Sequence, residues 1–496
     1  MMNDLHKLEI REKTNSMGKY LPTIGLEVHI QLATESKIFC ADRNVYGAEP
    51  NTNISVISLA HPGTLPKLNK KAIEFAVKMG LACHSRIANR MYFDRKNYFY
   101  PDLPKGYQLT QDKTPICSGG YIEITGVDGE KSPIQLTKIH LEEDAGKLIH
   151  DPDYGDSNVD FNRAGVPLIE LVTEPVLTQP EDASRLLTEI RKIVRFLGIS
   201  TGDMEKGSLR CDANVSIAPE GANELGSKVE IKNMNSFKHV KQAINHEIHR
   251  QTQLLESGEE IISETRLYNV DTGKTYDMRT KEELNDYRYF PEPDLCQYEI
   301  SQEWLHSIKE EMPPLPSELH RKFVTQYGVS EKDATILTDS KSLADYYLKL
   351  CKETNNRKAA ANWLIGPVKS HLNEVGGEMS ESILSITQMA GLIELVQSNK
   401  VSFSKASSEI LPKLLRDRKA DSLEIAKKLN LIISSNGDDI QPIIQGILEK
   451  HPDKVSAYQN GKKGLLGMFM GELMRETKGK VDPKEANRLL AEALEG

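Results

Sequence analysis

Four short stretches of this chain alternate apolar and polar residues with a period of two. That period leaves each one local structure, a strand with one apolar and one polar face. In the first, Ile24, Leu26, Val28, Ile30 and Leu32 point one way and leave Glu27, His29 and Gln31 on the other side. In the second, Leu209, Cys211, Ala213, Val215 and Ile217 oppose Arg210, Asp212, Asn214 and Ser216. In the third, Val229 and Ile231 oppose Lys228, Glu230 and Lys232. The fourth, 167–172, is apolar except for Glu170, a carboxylate that is costly to bury without a partner. An antiparallel sheet with one solvated face shows the same alternation. Rows of carboxylates with a histidine, an asparagine and a lysine also form the vocabulary of a magnesium–nucleotide site. The first strand has no lysine and Glu170 stands alone among apolar neighbours, which together favour a site.

A chain of 496 residues holds two to four domains. Residues 21 to about 300 are rich in strand alternation and turn residues, with helices expected at 179–197 and about 237–256. Thr178 with Glu181 reads as a capping box opening the first helix, and Gly198 as its stop. This part is α+β, with a largely antiparallel sheet. The clustered prolines of 311–317 mark a boundary, beyond which helical periodicity prevails, and a second boundary falls near 398–408. The expected parts are therefore 1–310, an all-helical connector over 311–405 and a small helical tail over 406–496.

No apolar run is long enough to span a bilayer, and the first twenty residues carry neither a signal core nor transit character, so a cytoplasmic protein is expected. Six scattered cysteines without a C-x-x-C pair suit a reducing compartment. A net charge of −9 does not advertise a nucleic-acid binder, but phosphate binding depends on a local patch rather than the whole-chain sum.

Three segments carry the remaining chemistry. Over 94–111, Arg95, Lys96 and Lys105 are suited to phosphates, and the tyrosines, Tyr98 and Tyr100 among them, offer flat surfaces for a base. Over 139–147, three acids in a row break the alternation, so periodicity leaves open whether Glu142 or Glu143 faces the site. Over 276–294, Arg279 and Arg288 stand among aromatics and acids, suited to a phosphate or to neighbouring carboxylates. There is no P-loop, kinase signature or serine nucleophile elbow, so phosphoryl chemistry here requires a metal held by strand carboxylates.

In this order, the segments closely resemble the B subunits of tRNA-dependent amidotransferases. The matching motifs are Ile24-Gly-Leu-Glu-Val-His-Ile-Gln-Leu, Asp94-Arg-Lys-Asn-Tyr-Phe-Tyr-Pro-Asp, His140-Leu-Glu-Glu-Asp-Ala-Gly-Lys and Asn162-Arg-Ala-Gly-Val-Pro-Leu-Ile-Glu. They continue with Gly207-Ser-Leu-Arg-Cys-Asp-Ala-Asn-Val-Ser, Val229-Glu-Ile-Lys-Asn-Met-Asn-Ser-Phe and Asp286-Tyr-Arg-Tyr-Phe-Pro-Glu-Pro-Asp. The helical part is similar through Ala361-Asn-Trp-Leu-Ile-Gly and 461–474, so the resemblance covers essentially the whole chain.

The resemblance implies a glutamine-synthetase-like cradle, with ATP and Mg²⁺ as cofactors. It implies a heterotrimer whose other members are the A and C subunits, the former a glutaminase. It implies amidation of misacylated tRNA: Glu-tRNA(Gln) to Gln-tRNA(Gln), or Asp-tRNA(Asn) to Asn-tRNA(Asn). Carried over by position, it implies His29, Glu143 and Glu170 as metal ligands, with Glu27, Asp212, Asn214, Glu230 and Lys232 lining the reaction site. Arg95, Lys96, Tyr98, Tyr100, Lys105 and Arg210 are the expected nucleotide-binding residues. Some members of the family bind zinc through two cysteine pairs; here only Cys40 remains, so no zinc is expected. The tail implied to grip tRNA is YqeY-like and carries Lys405, Lys413, Arg416, Arg418, Lys419, Lys427 and Lys428, followed by Lys462, Lys463, Arg475, Lys478 and Lys480. The rival readings are a non-catalytic tRNA-binding scaffold and an amide ligase acting on a free amino acid.

Overall fold

The computed structural model of the protein describes residues 19–126, 129–150, 155–280, 287–433, 437–477, 481 and 483–495. The chain divides into two compact units, Met1–Leu315 and Pro316–Gly496.

The first unit is built on a ten-stranded sheet. Strand β1 (Tyr20–Gln31) occupies its middle. The other elements that position the site are β2 (Asp94–Asn97), β3 (Tyr107–Thr110), β4 (Lys131–Glu143), β5 (Pro167–Thr173) and β6 (Leu209–Pro219). They are followed by β7 (Val229–Lys232), β8 (Glu264–Asn269), β9 (Lys274–Thr280) and β10 (Arg288–Pro291). The order across the large sheet is β9-β8-β7-β6-β1-β5-β4, continuing into the short strands Cys117–Ser118 and Arg86–Ile87. All pairs named here are antiparallel except β7 with β8, which run parallel because a helix (Phe237–Ser257) and a loop separate them in sequence. A second sheet of three strands, β10-β2-β3, packs β3 against the end of β4.

The apolar faces of β1 and β6 are fully buried. They share one core with the helix stripes of α1 (Lys70–Ala82), α2 (Pro180–Leu197) and α3 (Phe237–Ser257). Each Ile, Leu or Val buried this way contributes roughly 1.5–3 kcal/mol. The expected capping box at the start of α2 does not form. Helix α2 begins at Pro180 with Gln179 as the N-cap and no side-chain cap bond. Proline at the first helical position has no N–H to satisfy, which removes one of the donors a Thr178 cap would serve. Gly198 ends the helix in the left-handed conformation, as the sequence predicts.

The second unit is helical from Pro316–Thr325 to Pro483–Glu495. Trp363 is buried and packs against Phe403 at 4.5 Å between ring centroids. Ile440, Ile444, Phe469, Leu473, Leu489 and Leu490 belong to a separate core near the C-terminus. Lys478 and Lys480 lie outside the described residues. Among the described residues no helix is long and apolar enough to cross a membrane.

Candidate active site

Register places the polar residues side by side. Along one row of the large sheet, His140 of β4 pairs with Glu170 of β5, Glu170 with His29 of β1, and His29 with Arg210 of β6. Two residues away Glu27 pairs with Asp212, and further along Asn214 pairs with Glu230 of β7. Residues directly opposite in a sheet share a face, so five strands present one continuous polar surface.

At its centre, His29 Nε2 lies 3.2 Å from Glu170 Oε2 and 3.8 Å from Glu142 Oε1. His140 Nε2 sits 3.5 Å from Glu142 and 3.6 Å from Glu170. Among the described residues, one ligand atom each from His29, Glu142 and Glu170 fall within 4.8 Å of one another. Burial alone would lower the His29 pKa, but the hydrogen bond to Glu170 and the charges of Glu170 and Glu142 outweigh it and lift it to about 9. Burial opposes ionisation of Glu170, yet His29, His140 and Lys96 hold its carboxyl well below the usual carboxylate range. Without a bound cation, the protonated imidazole balances the carboxylates.

Two carboxylate oxygens and an imidazole nitrogen converging this closely fit a divalent cation. Near the centre, the buried Nδ1 of His140 has no hydrogen-bond partner. Elsewhere on the same face, the buried Oδ1 of Asn214 also lacks one. The donor set suits Mg²⁺ less ideally than an all-oxygen cage, because imidazole is a softer ligand.

Around this centre the charges are paired. Asp144 is buried and accepts from Gln31 Nε2 at 2.7 Å and Arg210 at 2.9 Å. Asn214 Nδ2 donates to Glu27 at 2.9 Å. Lys232 lies 2.6 Å from Asp212 and 2.7 Å from Glu230. Burial disfavours its charge, but these two carboxylates overcome that and raise its pKa. Thr265 of β8 donates to the other oxygen of Glu230 at 2.9 Å.

Glu143 faces away from this centre. It pairs with Lys105 and accepts from the backbone N–H of Leu109 at 2.8 Å. With Phe39, Cys40, Lys105 and Gly165 it lines a separate cavity of about 220 Å³. Glu142, held by Thr110 Oγ1 at 3.2 Å, takes the place at His29 that the resemblance implied for Glu143. Continuing the alternation of Ile139 and Leu141 puts His140 and Glu142 on the polar face. In the sequence that signal is masked because Glu143, on the opposite face, is an acid too.

Several expected nucleotide contacts are engaged elsewhere. Arg95 forks onto Glu292 with two bonds of 2.8 Å, reaches Asp294 at 3.2 Å and stacks over Tyr107 at 4.4 Å. Lys105 is taken by Glu143. Lys96 has no ion-pair partner among the described residues and lies 4.4 Å over the ring of Tyr287. Tyr98 packs edge-on to Tyr287. Tyr100 is half exposed after β2. The side chain of Arg279, with Lys281 and Asp286, lies outside the described residues. Where the zinc cysteines would stand, Ser58 donates to Asp42, which also accepts from the Ser55 N–H at 2.8 Å. The buried Lys37 reaches Ser58 at 3.4 Å.

The sheet gathers two carboxylates, two imidazoles and a flanked lysine on one face, and so defines an acidic centre with a fixed positive charge beside it. Comparison with known proteins places the protein more closely. Residues 22–306 match the GatB/GatE catalytic domain, and residues 345–494 match the GatB domain. The B subunit of the aspartyl/glutamyl-tRNA(Asn/Gln) amidotransferase of Thermodesulfovibrio yellowstonii is 46% identical over 476 residues, covering 96% of this chain and 99% of the relative. The proteins of the same name from Thermoanaerobacter pseudethanolicus and Trichlorobacter lovleyi are 44% and 45% identical, over 96% of this chain and 99% and 100% of their own lengths. The chain belongs to the GatB family.

Proposed function

We propose that this chain activates the side-chain carboxylate of an amino acid esterified to tRNA. It does so as the B subunit of an amidotransferase, working in the cytoplasm with the A and C subunits. The γ-phosphoryl group of ATP passes to a carboxylate oxygen, releasing ADP and leaving an acyl phosphate. Ammonia supplied by the glutaminase partner then attacks the acyl carbon, phosphate leaves, and the amide forms. The substrates are Glu-tRNA(Gln), Asp-tRNA(Asn) or both.

The observation that carries this reading is the convergence of His29, Glu142 and Glu170 on the polar sheet face. These three residues would hold Mg²⁺, which supplies neutralisation of phosphate charge during phosphoryl transfer. Glu27, Asp212, Asn214, Glu230 and Lys232 line the same face, with Lys232 keeping a fixed positive charge beside it. Arg210, clamped by Asp144, holds a second one at the row's end. The basic helical tail is read as the part that grips the tRNA backbone by shape and charge.

The test uses the chain assembled with its two partner subunits, given Glu-tRNA(Gln), ATP, Mg²⁺ and glutamine. Glu142→Gln and Glu170→Gln are expected to abolish ADP release and Gln-tRNA formation while tRNA binding survives. Turnover within about tenfold of wild type in both would sink the assignment.

A further inference from the structure

The small sheet has a second face that the reading above leaves unused. Strand β10 pairs with β2 so that Tyr289 lies opposite Lys96. On the face shared by these two residues stand Tyr98 and Tyr287 as well. The opposite face carries Arg95 and Phe290. Tyr98 and Tyr287 lie 5.5 Å apart, and Tyr287 and Tyr289 6.5 Å apart, each pair packed edge to face. Tyr287 and Tyr289 remain 42% and 41% exposed. Exposed aromatic rings beside a cation are a surface on which bases stack.

We propose that this strip is a stacking platform for the single-stranded 3′ end of the tRNA, with Lys96 on its phosphodiester backbone. The inference rests on the RNA-linked substrate proposed above. The two exposed rings, Tyr287 and Tyr289, offer more stacking surface than the one base of a mononucleotide fills. Among the described residues Lys96 is the cation on this face without a carboxylate partner, which matches singly charged phosphodiesters better than a triphosphate. Its position matches too. Strand β2, which carries Lys96, pairs with β3, whose Thr110 holds Glu142 of the acidic centre, so a base resting on the strip keeps the esterified amino acid near that centre.

The experiment uses the full-length chain and two unacylated RNA hairpins with identical stems, one ending in a four-nucleotide 3′ single strand and one blunt. For wild type, the overhang is expected to tighten binding about fivefold or more. Tyr287→Ala and Tyr289→Ala each erase most of that gain, whereas Tyr287→Phe and Tyr289→Phe keep it, since a phenyl ring stacks equally well. Lys96→Met lowers the slope of log K against log salt for the overhung hairpin by about 0.7. ATP affinity stays within about twofold of wild type in the tyrosine variants. Equal binding of both hairpins to wild type overturns the platform and leaves the RNA reading standing. Binding of neither overturns both. Loss of ATP affinity with unchanged RNA binding assigns the strip to the nucleotide's base and also overturns the platform.

Discussion

Neutralising Glu142 tests the site most directly, because the neighbouring Glu143 serves as its internal control. In the cation-free protein His29, with its pKa of about 9, carries a proton at pH 7. A metal ion taking Nε2 must displace that proton. The cost is about 2.7 kcal/mol at pH 7, from two pH units at 1.36 kcal/mol each, and it vanishes near pH 9. Apparent Mg²⁺ affinity should therefore rise close to tenfold from pH 7 to 8 and about fivefold from pH 8 to 9, with about one proton released per ion at pH 7. The sign follows from the raised pKa: the imidazolium's favourable contacts persist below about 6.5 and are lost as the pH climbs through 9. Glu142→Gln removes one ligand and one of the two carboxylates that sustain the shift, so Mg²⁺ affinity should fall by about tenfold to a hundredfold or more and the pH slope should flatten. Glu143→Gln should leave the slope intact and the affinity within about threefold, because its carboxylate serves Lys105 and the Leu109 N–H instead. Titration calorimetry in buffers of different ionisation enthalpy reads both affinity and proton count. A larger loss from Glu143→Gln, or binding without proton release, would refute the assignment.

Three further outcomes follow from packing and pairing. Asp144→Asn should destabilise the first unit by about 2–3 kcal/mol in urea unfolding, since it leaves Arg210 without its carboxylate; the figure is discounted because Arg210 is partly exposed. Burial opposes the Asp144 charge, but Arg210, Arg163 and Gln31 hold its pKa below the ordinary value. This contribution is therefore present above about pH 4 and lost as the pH falls further, which urea titrations at pH 7 and pH 3 would compare. Arg95→Met should cost about 3 kcal/mol by stranding the buried Glu292, and should loosen Tyr287 and Tyr289, visible as faster hydrogen exchange over β10. Gly80→Ala should destabilise by about 1–3 kcal/mol, because its Cβ would come within 2.3 Å of Cys117 Sγ inside the core; an unchanged melting temperature would contradict the packing.

Some of this was legible in the sequence and some was not. Strand alternation over 24–32 and 209–217 gave both faces correctly, because each strand has one truly apolar side packed on helices. Glu142 is not distinguishable there because Glu143 follows it, and an acid on each face of β4 leaves no polar–apolar contrast to read. Arg95 and Lys105 looked like free phosphate ligands because their partners, Glu292 and Glu143, lie 197 and 38 residues away. The strip formed by Tyr98, Tyr287 and Tyr289 could not be seen as one surface until β2 and β10 paired. By itself, then, the sequence determined which residues lie on a polar face, since that depends on a period of two along one strand. Only the tertiary structure decided which of those residues meet, because register between distant strands sets whether a charge is a ligand, a paired structural ion or a free contact.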